Sequence, residues 1–224
     1  MLGCVYYNPS IPGSTLSQNN YENRSSISTE VVDNLYNGEL PHGTDKFKVA
    51  ANSIGESKTK LEDYNIIVLG GGTNDYTYNL KLGSIGSSDV RTFNGAINHI
   101  LEKIKNASKN RVLKGEEPIK VVFMDLFYSN RFHLSSDIVN RDVTPNRIGL
   151  TLTDYQNALL TQYDKWQNLT EDVLTFYNFK TRDYEIVNEE NCPYTASDNL
   201  HFTKFVYGQY GNAFAQFLVD NVFE

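Results

Sequence analysis

Positive charge, cysteine and long apolar runs are all scarce in this chain, and each shortage removes a class of function. Twenty Lys and Arg stand against 27 Asp and Glu, a formal charge of −7 over 224 residues. Phosphate backbones are held by clustered Lys and Arg, so this net anionic field makes nucleic acid an unexpected partner. No run approaches the roughly 20 apolar residues that cross a bilayer. The N-terminal MLGCVYYNPS has neither a basic start nor a long apolar core, so neither a signal peptide nor membrane association is expected. Cys4 and Cys192 are the only cysteines. Two thiols so far apart make neither a disulfide framework nor a metal motif, and they read as buried or incidental. Of the four histidines, His42 falls in a polar stretch, His99 inside a helical pattern and His133 in a long loop. Nothing in their spacing requires convergence, so no metal and no cofactor are expected.

What the chain has in quantity is 15 Tyr and 12 Phe, together with many Asn. Aromatic faces and amides suit polyol ligands, and a coding bias would give the same composition. With 40% hydrophobic residues the length supports one substantial core, and a single domain over 1–224 is expected.

Short apolar runs alternate with longer segments of helical period, the pattern of a parallel sheet with crossover helices. Strands are predicted at 4–8 (CVYYN), 65–70 (NIIVLG), 119–127 (IKVVFMDLF) and 173–179 (VLTFYNF). Helices are predicted at about 22–35, 88–107, 153–169 and 203–219, the second with Phe93, Ile97, Ile100, Leu101 and Ile104 on one face. Residues 38–60 read as a surface excursion and 128–149 as a long irregular stretch. Strands that are apolar on consecutive residues are buried on both faces, so helices must lie on both sides of the sheet. In such sheets function gathers in loops beyond the carboxyl ends of the strands.

Gly70, Gly71, Gly72, Thr73, Asn74 and Asp75 follow the strongest predicted strand directly. The spacing is not that of a dinucleotide fingerprint, and no Gly-Lys-Ser/Thr completes a phosphate loop. What remains is an amide and a carboxylate at a strand tip. Asn74 can aim an N–H at a developing oxyanion; equally, Asn and Asp are turn formers. Near the C-terminus Asp198 precedes His201 by three residues, just ahead of a helical pattern. That is one turn, so the carboxylate can hold the imidazole in the tautomer that leaves its other nitrogen as a base.

Taken together, Gly72-Thr73-Asn74-Asp75 and Asp198-Asn199-Leu200-His201 resemble the third and fourth signature blocks of the SGNH hydrolases, the GDSL-type esterases and lipases. VYYNPSIPGSTLS resembles the strand and turn of the second block. The resemblance runs from about Val5 to Leu218 and is greatest to SGNH modules of phage and bacterial surface proteins. It implies an α/β, flavodoxin-like three-layer fold and an ester hydrolase in which His201 is the base, Asp198 orients it, and Asn74 with the Gly13 backbone N–H forms the oxyanion hole. Gly72, Asp75 and Ser14 would contact substrate. The first block, a serine in Gly-Asp-Ser after the first strand, has no match in the sequence. The nucleophile-bearing strand is therefore expected from outside this chain, with Ser14 a weaker substitute. The expected substrate is an acyl ester, such as an O-acetyl group on a glycan, and the expected partner is a second polypeptide supplying or covering the missing strand. The competing expectation is an inactive SGNH-fold virion protein, such as a phage tail component, or a surface structural or glycan-binding protein. With no signal peptide expected, the chain is expected to be cytoplasmic or virion-associated.

Overall fold

β-Branched and apolar residues in consecutive positions make the strands of this protein, and their order fixes where its loops converge. The computed structural model describes residues 14–19, 26–38, 60–125, 142–169, 172–184 and 202–223. Within them β1 (Ile66–Leu69), β2 (Ile119–Met124) and β3 (Leu174–Phe179) form a parallel sheet in the order β1-β2-β3. Val68 lies opposite Val122, and Val122 opposite Tyr177. The helices are α1 (Asp33–Asn37), entered through a π-helical segment Ile27–Val32, α2 (Thr73–Thr77), α3 (Phe93–Leu113), α4 (Leu152–Gln167) and α5 (Lys204–Asn221).

Side chains alternate across the central strand. Ile119, Val121 and Phe123 point into the larger core with Ile97, Leu101 and Ile104 of α3 and Leu152, Tyr155 and Leu159 of α4. Val122 points the other way, with Phe179, against Phe214, Phe217 and Leu218 of α5. Helices thus cover both faces, as continuous apolar strands require, and the arrangement is consistent with a flavodoxin-like α/β fold. The cover is uneven. Val68, on the α5 face of β1, keeps 42% of its surface exposed, and Phe205 of α5 keeps 60%.

The predicted strands at 65–70, 119–127 and 173–179 each contain an observed one; α4 and α5 match the helices predicted at 153–169 and 203–219 within two residues, whereas α3 lies five to six residues further along than the helix predicted at 88–107. All five apolar residues expected on one face of α3 are buried. The helix begins at Phe93 rather than near Ser88 because Thr92 caps it, its Oγ1 accepting from the Gly95 N–H. A Cβ at Gly95 would lie 2.1 Å from the Asp89 carbonyl oxygen, so the chain can bend into α3 there only with glycine. α4 starts at a capping box between Thr151 and Asp154. The predicted strand at 4–8 and most of the stretch 38–60 lie outside the described residues. No described helix is long and apolar enough to cross a membrane.

Candidate functional site

The glycines after β1 turn the chain sharply into a five-residue helix, α2, where the sequence predicts no helix. Gly72 is its N-cap at φ 118°, a conformation that L side chains avoid. Gly71 lets the turn close on its neighbour, since a Cβ there would meet the Leu16 side chain at 3.0 Å. The result sets Thr73, Asn74 and Asp75 in the first turn of α2, at the carboxyl edge of the sheet and against residues 14–17.

Asn74 is half-buried, and its Nδ2 donates to the Ser14 carbonyl oxygen at 2.8 Å. A carboxamide nitrogen carries two hydrogens. With one of them fixed on Ser14, the direction of the other is fixed as well. Ser14 is thereby placed beside the Asn74 amide, by its carbonyl rather than its hydroxyl. Gly72, expected to touch substrate, is buried at the base of the turn.

Asp75 corrects a sequence expectation. It was expected among the substrate contacts, and it is wholly buried. Its Oδ2 accepts from Leu16 N at 2.9 Å, and its Oδ1 accepts from Ser17 N at 3.0 Å and Ser17 Oγ at 2.5 Å. Burial pushes its pKa above the ordinary 3.8, outweighing the opposing effect of the Ser17 and Leu16 donors. With both oxygens occupied and no solvent access, this carboxyl is a structural tie between β1's tip and residues 16–17.

The far side of α2 is braced independently. The Tyr155 hydroxyl donates to the Leu80 carbonyl and approaches the Asp75 carbonyl at 3.4 Å, and burial raises its pKa. Asn146 Nδ2 donates to the Tyr76 carbonyl at 3.0 Å, while the Tyr76 hydroxyl donates to the Thr144 carbonyl at 3.0 Å. At the tip of β2, Asp125 accepts from Thr181 N at 2.7 Å and from Thr181 Oγ1 at 2.5 Å. Beyond two adjacent strands, then, a carboxyl grips the backbone and a hydroxyl of another segment, Asp75 through two N–H groups and Asp125 through one.

Gly13, Asp198 and His201 lie outside the described residues. Among the sequence-predicted site residues, the structure brings together Ser14, Gly72, Asn74 and Asp75. Among the described residues, no group of three or more His, Cys, Asp or Glu side chains is placed to hold a metal ion. His99, inside α3, pairs with Asp33 of α1 at 2.8 Å. A cavity of about 510 Å³ runs along β3, lined by Leu160, Tyr163, Phe176, Tyr177, Asn178 and Phe217 among others. It lies at the opposite edge of the sheet from the β1 tip and does not include Asn74.

No family model matches the sequence, and no curated protein does. Solved structures do resemble the fold. One crystal structure matches with a TM-score of 0.62 and 21% identity over 93% of this chain and 76% of its own. A structural-genomics target from Lactobacillus plantarum matches with a TM-score of 0.54 and 17% identity over 93% of this chain and 78% of its own. At such identities these similarities establish a shared fold and carry no activity with them.

Proposed function

We propose that the chain is the oxyanion and acid-base portion of an SGNH-type esterase that removes acyl groups, O-acetyl groups on a glycan in particular, with its serine supplied from outside these 224 residues. The observation that carries the reading is the Asn74 amide, held at a strand tip by the Ser14 carbonyl with a second N–H left to donate. In this scheme the serine Oγ attacks the acyl carbon and His201 takes the hydroxyl proton. The oxyanion rests on Asn74 and the Gly13 N–H, and the alcohol leaves with the proton from His201. Water then cleaves the acyl-serine by the same steps, releasing the acid. Asp198 orients His201 throughout.

The test is hydrolysis of p-nitrophenyl acetate. The isolated chain is expected to be no faster than its His201→Ala variant, because removing a nucleophile leaves only residual catalysis. Adding a segment that bears a strand, Gly-Asp-Ser and a helix, such as a product encoded immediately upstream, is expected to restore a rate that depends on His201 and Asn74. Turnover by the chain alone that is abolished by Ser14→Ala would make it a self-sufficient esterase and overturn the proposal.

A second reading, an inactive SGNH-fold virion or surface protein that binds glycan or serves as scaffold, has its own support. Asn74 and Asp75 both have structural employment against residues 14–17, so their presence does not by itself require catalysis. Failure of any such segment to restore hydrolysis would favour it.

A further inference from the structure

We infer that Asp75 is a positioning residue for the Asn74 amide: by holding residues 16 and 17, its carboxyl fixes the Ser14 carbonyl that orients the amide. The inference deepens the esterase reading and rests on Asn74 being the oxyanion donor there.

Asn74 and Asp75 are neighbours in one helical turn, and their side chains grip a single four-residue segment at its two ends. Asn74 reaches Ser14, and Asp75 reaches Leu16 and Ser17, across about 60 residues of sequence. Other bonds on that segment run elsewhere. Ile27 N and Ser28 N donate to the carbonyls of Thr15 and Leu16, and the following residue, Gln18, donates its N–H to the Val90 carbonyl, which ties the segment to the entrance of α1 and to the loop before α3. The hydrogen bonds that set its distance from α2 are those of Asn74 and Asp75.

Of these, the Asp75 set is the stiffer. It comprises three bonds to one side chain that solvent does not reach, whereas Asn74 makes one bond and is half-buried. A single bond that would otherwise compete with water is held in place by three that do not. The amide is thus preorganised by its neighbour, in the sense that a donor aimed in advance costs nothing to reorient when charge develops. Asp75→Asn is close in shape but offers one acceptor where the native side chain offers two, so either Leu16 N or Ser17 N loses its partner.

The experiment is NMR on the ¹⁵N-labelled full chain, comparing native protein with Asp75→Asn, Ser17→Ala and Tyr155→Phe. In the native protein one Asn74 Hδ2 is expected to be held by Ser14 and well separated in shift from the other. In Asp75→Asn that separation is expected to collapse and exchange of the Leu16 and Ser17 amides to rise by about tenfold or more, with Ser17→Ala intermediate. Tyr155→Phe loosens the opposite side of α2 and should leave the Asn74 pair unmoved, which a general loss of stability would not do. Should Asp75→Asn fail to fold, Ser17→Ala carries the comparison. Unchanged Asn74 signals in both variants, or equal displacement in Tyr155→Phe, would overturn the inference. A titration with sodium acetate separates the two claims. If acetate moves the native Asn74 signals, and binds at least about tenfold more weakly to Asp75→Asn, both stand. If it leaves the native signals alone while the variants behave as expected, the oxyanion reading falls and the positioning by Asp75 remains.

Discussion

The Ser17 hydroxyl lies 2.5 Å from Oδ1 of Asp75, in a space closed to solvent on both sides. Removing that hydroxyl leaves the carboxyl its two backbone donors but deprives it of the third. Ser17→Ala is therefore expected to lower the unfolding free energy by about 1–3 kcal/mol, read from urea or thermal denaturation. A loss close to zero would mean that the hydroxyl is not engaged with Asp75 in solution.

The same carboxyl gives stability a pH dependence. Its folded-state pKa is raised above the ordinary 3.8 by burial, so the folded chain holds the proton more readily than the unfolded chain does. Stability from this group is then greatest below the unfolded value and is lost as pH rises through the folded value. Measured as the difference between native protein and Asp75→Asn, the unfolding free energy should decline from about pH 4 toward neutrality. A difference that grows over that range would show that the donors outweigh burial and that the pKa is depressed.

Another buried amide anchors the long loop before α3. Asn98 Oδ1 accepts from Trp166 Nε1 at 3.0 Å and Lys165 Nζ at 2.9 Å, while its Nδ2 donates to the carbonyls of Ile85 and Ser87 at 2.9 and 2.8 Å. Asn98→Ala strands several of these groups and is expected to cost about 1–3 kcal/mol. Trp166→Phe removes one donor along with some ring contact, and a smaller loss is expected. Thermal melts of the two variants check the order, and the reverse order would show that the ring's packing outweighs the network.

These residues also show what the sequence could and could not convey. α3 was legible because Phe93, Ile97, Ile100, Leu101 and Ile104 repeat at helical spacing and all face one core. β2 was legible because a strand buried on both faces is apolar throughout. α2 was not, since five residues are too few to carry a period and its start depends on the backbone of Gly72. The role of Asp75 was equally hidden. Its partners lie 58 and 59 residues away, and a carboxylate in a glycine loop looks the same in sequence whether it faces a ligand or the backbone of another segment. Asn74 stood out as a candidate because strand-end loops collect function, but its place in the sequence does not reveal which neighbour orients its amide.

The sharpest consequence for activity concerns Asn74 in the complemented esterase. An oxyanion donor acts on the transition state more than on the bound substrate, so its loss should fall on kcat. Asn74→Ala is expected to reduce kcat by about 10²–10³-fold with KM nearly unchanged. The same substitution also removes the bond to Ser14, which should cost only about 0.5–1.5 kcal/mol of stability and leave the protein folded. The two effects are separable by measuring initial rates with p-nitrophenyl acetate well below the melting temperature of the variant. Asn74→Asp gives a further check, because a carboxylate cannot donate to Ser14 and would repel a developing oxyanion, so its rate should fall at least as far as that of Asn74→Ala. A complemented enzyme that keeps its kcat in both variants would show that Asn74 serves only to hold residues 14–17 to α2, and the weight would pass to the structural reading.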